Sequence, residues 1–399
     1  MKLDFEHFYN HLPRYLCIAL SAILLLPLLV LLILILIYKC TTLLSYMKID
    51  TYNQQDFIQR AEWLRRRVIV DPEQLMSAMP AAVGRHFQGE WAIYSLAMTT
   101  SSLTNISRLY PEYQETYRQD IKRMISITTS RTIQQYDAAQ WGEYPLASLD
   151  GDKSHMTYLS LLAWMITNYK LIGGDDEYDY LLHSICETLH RRMLAAPDLN
   201  LESFPDAPIF IPDMLVTIVA LHHYSRLYDG QYADIVACWM SKAKTEWIDQ
   251  KSGLLAATIT SQNHTGQYHV CGSYAGLTCY YLSFIDEDFA RQQYDAMKRY
   301  FGHEGLITGI REQSGEVPLL DFHIDAGPLL LGYSPSGTAF AIGCATYFED
   351  WAFRNRLLRT AELAATTIYG RGERHYLLAS YVPVGEAITL AMKTHFRPR

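Results

Sequence analysis

A joint that recurs at the starts of successive amphipathic segments constrains this chain more than any other feature. An apolar stretch ends, an acidic turn follows, and an aromatic opens a new run: Tyr110-Pro-Glu-Tyr113, Asp175-Asp-Glu-Tyr178, Asp229-Gly-Gln-Tyr232, Asp286-Glu-Asp-Phe289 and Glu349-Asp-Trp-Ala-Phe353. The aromatics recur at intervals of roughly 54 to 65 residues, too long for the common helical solenoids and suited to a helix hairpin plus a loop. Carboxylates in such turns accept from the free N–H groups of a helix N-terminus and oppose its positive dipole end.

The segments that these joints separate are of two kinds. Those near Gly89–Met98, Ser154–Leu171, Ile211–Leu227, Gly272–Phe284, Ser336–Tyr347 and Val384–Thr394 are apolar nearly all round, as surrounded helices are. Those near Tyr113–Tyr136, Tyr178–Leu194, Gln231–Ile248, Phe289–Phe301 and Ala352–Ile368 carry a wet face. Two alternating classes, roughly six of each, predict two concentric layers: an all-α toroid of helical hairpins, the (α/α)6 barrel. A linear solenoid would show amphipathic helices throughout and capped ends. Residues Thr51 to Pro80 add helix with a fresh start at Asp71-Pro72, and the Ser252-Gly and Glu304-Gly punctuation predicts small β excursions. No Pro/Gly/Ser linker or charge block interrupts 51–399, which reads as one domain.

Ahead of it, residues 15–38 are uncharged and almost wholly apolar. As a helix they reach about 36 Å, enough to cross a bilayer core. Tyr15 and Tyr38 stand where interfacial aromatics belong, Arg14 and Lys39 close the ends, and no small-residue cleavage site follows. The expected organisation is a short segment 1–14, a transmembrane helix 15–38, a juxtamembrane linker 39–50 and the barrel. Long domains translocate largely regardless of charge, so the barrel is expected on the extracytoplasmic, periplasmic side, in a membrane-tethered protein that can form homo-oligomers or join a membrane complex. The net charge of −8, without a basic patch, argues against nucleic acid. Cys186, Cys238, Cys271, Cys279 and Cys344 are odd in number and irregular in spacing, forming neither a disulfide framework nor a metal pattern. Asn263-His-Thr265 fits the glycosylation triplet but means nothing without a secretory context.

Several local strings in the same order resemble linalool dehydratase-isomerase, an (α/α)6-barrel family. They are Tyr94-Ser-Leu-Ala before the Tyr110-Pro turn, Trp141-Gly-Glu, Lys153-Ser-His155-Met, Pro205-Asp206, Ser273-Tyr274 ahead of Asp286-Glu-Asp-Phe289, and Asp325-Ala-Gly327. The similarity runs from about Trp91 to Phe396. It implies that His155 matches a cavity histidine and Tyr94 a cavity tyrosine. The two active-site cysteines of that family are not retained: Ser203 and Pro212 stand in their places, and its early Asp and Tyr have no counterpart before Trp91. The resemblance therefore carries the fold and not the activity.

Carboxylates gather in the loops before the apolar helices, which in a helical barrel open onto one rim. They are Glu143, Asp150 and Asp152 ahead of His155, Asp206 and Asp213 around Phe210, and Asp321 and Asp325 with His323 between them. Paired carboxyl groups in unequal environments suit glycosidic-bond hydrolysis, and a His with a Tyr suits proton transfer in a lyase or epimerase. The expected catalytic residues are His155 and Asp325 as the acid–base pair, with Asp206 or Asp213 orienting substrate. Tyr94, Glu143, Asp152 and Tyr274 are expected to bind it. Turn and capping roles compete for Asp150, Asp152 and Asp213. No phosphate loop, zinc signature or nucleophile elbow is present, and no cofactor or metal is expected. Three readings follow: an enzyme acting on an envelope or exported glycan by hydrolysis, elimination or epimerisation; a small-molecule hydro-lyase or isomerase; and a degenerate barrel serving as scaffold or binding subunit.

Overall fold

The computed structural model describes residues 23, 25–41, 53–260, 266–315 and 319–398. The chain divides into two compact units, Met1–Asp50 and Thr51–Arg399. In the first, residues 25–41 form helix α1, whose leucines and isoleucines are exposed along its length. Most of the remaining expected span, and the 1–14 and 42–50 segments, lie outside the described residues. Among the described residues no helix is long and apolar enough to cross a membrane. Asn263 to Thr265 also lie outside them.

The second unit is built from helix pairs. Its inner helices are α4 (Gly84–Leu109), α7 (Met156–Leu171), α9 (Ile211–Leu227), α11 (Gly272–Leu282), α13 (Pro335–Tyr347) and α15 (Pro383–Lys393). Each packs on the next, and α15 packs back on α4, which closes a ring of six. Nearly every residue of α7, α11 and α13 is buried, because each touches two inner neighbours and an outer helix. The outer layer is α2 (Gln54–Val68), α5 (Gln114–Thr128) with α6 (Arg131–Trp141), α8 (Asp179–Ala195), α10 (Ala233–Thr245), α12 (Glu287–Tyr300) and α14 (Trp351–Ala365), with the short α3 (Pro72–Ser77) beside α4 and α6. This is the (α/α)6 barrel.

The joints mark outer-helix starts. Asp286 caps α12 by accepting from the Phe289 N–H at 3.0 Å, and Asp350 caps α14 by accepting from the Phe353 N–H at 3.2 Å. The expected single helix over Tyr113–Tyr136 is instead two. It breaks at Thr129–Ser130, where Ser130 Oγ caps α6 through the Ile133 N–H. The expected run Ala352–Ile368 ends at Ala365 and continues as strand.

Four two-stranded antiparallel sheets complete the unit. They are β1 (Ile209–Phe210) with β2 (Thr258–Ile259), β3 (Gly302–His303) with β4 (Gly309–Ile310), β5 (Leu320–His323) with β6 (Gly327–Leu330), and β7 (Thr367–Gly370) with β8 (Glu373–Tyr376). The last two hairpins have no counterpart in the sequence expectations. All four precede or flank inner-helix starts, so the ring's irregular structure is concentrated at one end.

Candidate active site at the barrel mouth

The N-terminal portions of five inner helices surround a cavity of about 210 Å³. Glu90, Trp91 and Tyr94 come from α4, Asp213 from α9, Ser273, Tyr274 and Leu277 from α11, Ser336 and Phe340 from α13, and Val384 and Ile388 from α15. The connection between β5 and β6 adds Ile324 and Asp325, and the loop before β1 adds Phe204. Glycine lets these elements meet. A Cβ at Gly89 would lie 2.2 Å from that of Tyr136, and one at Gly272 would lie 2.0 Å from the Arg311 carbonyl oxygen. At the start of α11, Ser273 donates through its N–H and its hydroxyl to the buried Glu312, at 3.0 and 2.7 Å.

Among the described residues, three carboxyl groups share this cavity and none of its lining residues is Lys, Arg or His. Burial, reinforced by the negative charges of Asp213 and Asp325, pushes Glu90 up to about 8. One Glu90 oxygen is buried without a hydrogen-bond partner. His86 Nε2 lies 3.6 Å from it, but burial lowers the His86 pKa and disfavours the cation that would pair with it. Burial also raises Asp213, to about 6, against the opposing effect of the Ser203 hydroxyl, which donates to Oδ2 at 2.6 Å. Asp325 is raised by desolvation and by Glu312, against the opposing effects of the Tyr274 phenol and of His323. Its surroundings are mixed: the residue is exposed at the mouth, yet protein crowds its carboxyl group closely enough to penalise the charge. Tyr94 and Tyr274 are both raised by burial and by the neighbouring carboxylates, which keeps their phenols protonated as donors. Carboxyl groups held at different protonation levels in one cavity can give a proton at one point and take one at another.

Of the residues expected from sequence, Tyr94, Asp213, Tyr274 and Asp325 line this cavity. His155 and Glu143 form a separate cluster. His155 is the N-cap of α7, with φ 47°, and is fully buried. Its Nδ1 is 2.5 Å from Asp137 Oδ2, and its Nε2 is 3.3 Å from Ser148 Oγ and 3.4 Å from Glu143 Oε1. Burial pushes Glu143 up, but His155 and Lys153 outweigh it and hold the carboxyl below its usual range. Arg192 donates to the carbonyls of Ser148, Gly151 and Ser154, tying the loop together. Asp152 is exposed beside Arg191, and Asp206 sits exposed in its loop with φ 60°. Neither lines the cavity.

Sequence reasoning missed Glu90. It sits within an apolar helix, a place where an unpaired charge is costly, and that was the available signal. A wider groove of about 650 Å³ lies between α10 and α12, lined by Lys244, Asp286 and Arg299 among others. It belongs to the outer layer, and the Lys244–Asp286 ion pair occupies part of it.

No protein-family model and no curated protein matches the chain. Among solved structures it is similar to the unsaturated glucuronyl hydrolase from Bacillus sp. GL1, responsible for the degradation of glycosaminoglycan. The two share 13% identity over 74% of this chain and 84% of that one, with a TM-score of 0.46.

Proposed function

We propose that the barrel mouth is an acid–base active site that cleaves a C–O bond in a neutral, hydroxylated substrate, with a glycan end as the first candidate. One observation carries this reading: Glu90, Asp213 and Asp325 crowd a single open cavity with no Lys, Arg or His among its described lining residues, and burial disfavours the cation of the adjacent His86. Self-repelling carboxyl groups destabilise a fold, and a purely structural barrel has no use for them. In hydrolysis, the protonated Glu90 gives its proton to the departing glycosidic oxygen as the C–O bond breaks. Asp213, mostly ionised at pH 7, takes a proton from the water whose oxygen bonds to carbon. Asp325, engaged by Tyr274, stabilises positive charge building on the sugar. Trp91, Phe204 and Phe210 offer aromatic faces on which a sugar ring can stack. An anionic substrate is disfavoured, because no Lys or Arg side chain lines the site among the described residues.

A second reading, loss of water from a small alcohol, is favoured by the cavity's size and by the apolar Phe87, Leu277, Ile324, Phe340, Val384 and Ile388 in its wall. Here Glu90 protonates the departing hydroxyl, and Asp213 or Asp325 removes a proton from the adjacent carbon as the double bond forms. The deciding experiment offers the full chain two panels, neutral oligosaccharides and small unsaturated alcohols, and follows product by mass spectrometry. Turnover of the sugars alone supports the first reading, and turnover of the alcohols alone replaces it. Turnover of neither, with Glu90→Gln indistinguishable from wild type in ligand binding, removes both.

We also read residues 15–38 as a membrane anchor, from the uncharged apolar run and its flanking tyrosines and cations. Membrane fractionation of the full chain against one starting at residue 51 tests it. Equal recovery of both in the soluble fraction would refute the anchor.

A further inference from the structure

The β5–β6 hairpin is apolar on the face that should be polar. Its register pairs Leu320 with Leu330 and Phe322 with Pro328, which puts these four side chains on one face. Asp321 and His323 alternate with them, opposite Leu329 and Gly327. Leu329 is only 4% exposed and packs inward, while Asp321 and His323 on its face keep 40% of their side chains exposed and lie 3.4 Å apart. The other face is open: Leu320 is 70%, Phe322 58% and Leu330 55% exposed, with Leu319 and Leu331 exposed at its base. A hairpin packed on one side by a single leucine normally turns polar residues outward. At the neighbouring inner-helix start, the segment before α15 exposes Leu377, Leu378 and Tyr381, and β7 exposes Tyr369. These residues rim the mouth, since Ile324 at the hairpin tip and Val384 of α15 both line the cavity.

We infer that this rim, centred on the β5–β6 hairpin, docks on a lipid bilayer. The inference rests on the anchor reading, which supplies the occupant. An apolar run at 15–38, separated from the barrel by residues 39–52, keeps a bilayer within about 50 Å of the domain even with that linker fully extended. Two further observations favour lipid over a second copy of the chain. A four-residue face and a few flanking leucines fall well short of the roughly 800 Å² per partner of a stable protein interface, whereas shallow insertion of apolar side chains suffices at a membrane surface. Tyr369 and Tyr381 are the residue type that settles at the headgroup level. Docking there turns the mouth towards the bilayer, and the hairpin's apolar face leads through Ile324 onto the cavity's apolar wall. The hairpin also carries Asp325, so the same element that meets lipid delivers a carboxyl group to the site.

The test places the photoreactive residue benzoylphenylalanine, one position at a time, at Phe322, at Leu31 and at Tyr180 in the full chain reconstituted in phosphatidylcholine vesicles. Tyr180 is an exposed residue of α8, whose N-terminus lies at the barrel end away from the mouth. Lipid adducts at 31 and 322, with at least about tenfold less at 180, are expected. Adding Leu320→Asp and Leu330→Asp should lower the 322 adduct about tenfold and leave the 31 adduct intact. Adducts at 31 without adducts at 322 would overturn docking and leave the anchor standing. Adducts at neither position would overturn both. A covalent dimer formed through position 322 would overturn lipid in favour of a second copy, and equal labelling at 180 and 322 would reduce the rim to general surface.

Discussion

Two polar clusters lie at the same end of the ring, each at inner-helix starts, and they differ in how their charges are answered. Around His155, every acidic group has a donor: Asp137 and Glu143 both engage the imidazole, Lys153 pairs with Glu143, and Arg192 binds the loop carbonyls. Around Glu90, three carboxyl groups have one hydroxyl donor from Ser203, a phenol from Tyr274, and two imidazoles, His86 at 3.6 Å from Glu90 with its cation disfavoured by burial and His323 acting on Asp325. The first arrangement gives each charge a partner and so limits the energy cost to the folded chain, although burial still pushes Asp137 up. The second raises it, and such a cost persists where the group has work to do. An acidic residue at a barrel mouth is thus uninformative until its partners are known.

The sharpest way to break this comparison is by activity. Once a substrate is identified, Glu90→Gln and Asp213→Asn should each lower kcat/KM by about a hundredfold or more, because a general acid or base is lost. A loss of less than about threefold in steady-state assays would return these residues to a structural role. Stability should show the reverse pattern. His155→Ala leaves Asp137 buried without its partner and should cost about 3 kcal/mol in urea unfolding. Glu90→Gln should cost nothing measurable near neutral pH, and a cost above about 1 kcal/mol would mean that Glu90 is tied into the fold in a way its open oxygen does not suggest.

The pH dependence sharpens the contrast further. Glu90 sits at about 8 in the folded chain against an ordinary 4.5, so the folded state holds its proton where the unfolded state has released it. The stability of the protonated form is therefore complete below about pH 4.5 and falls as pH rises towards 8. Asp213 adds a smaller effect of the same sign, between 3.8 and about 6. Unfolding curves between pH 5 and 8 should decline in wild type and flatten in Glu90→Gln; parallel slopes would exclude this proton linkage. The smallest effects belong to the exposed acids. Asp206→Asn and Asp152→Asn should stay within about 0.5 kcal/mol in stability and twofold in turnover. A larger drop in turnover for Asp206→Asn would bring its loop back into the substrate site.

Much of the architecture was legible because it follows from periodicity. Helices surrounded on all sides are apolar all round, those in the outer layer are not, and the alternation counts the hairpins. The acidic joints were legible for a local reason too, since Asp286 and Asp350 bond N–H groups three residues away. Yet those joints mark outer-helix starts, at the end away from the cavity. The most regular signal in the sequence therefore lies far from the proposed chemistry.

Residue type and local spacing by themselves determined the helix pairs, the closed ring they imply, and the set of acidic residues in loops feeding the inner helices. Only the tertiary structure decided which of those acids meet. Asp213 and Asp325 are separated by more than a hundred residues, and both face Glu90, which no loop pattern marks. His155 and Asp325 sit at starts of the same ring yet in different clusters, because the donors that surround each come from helices remote in sequence. The hairpin that brings Asp325 to the mouth was equally invisible, its alternation inverted by an apolar outer face. Pairing, desolvation and repulsion depend on distances across the barrel, and those distances exist only once the ring has closed.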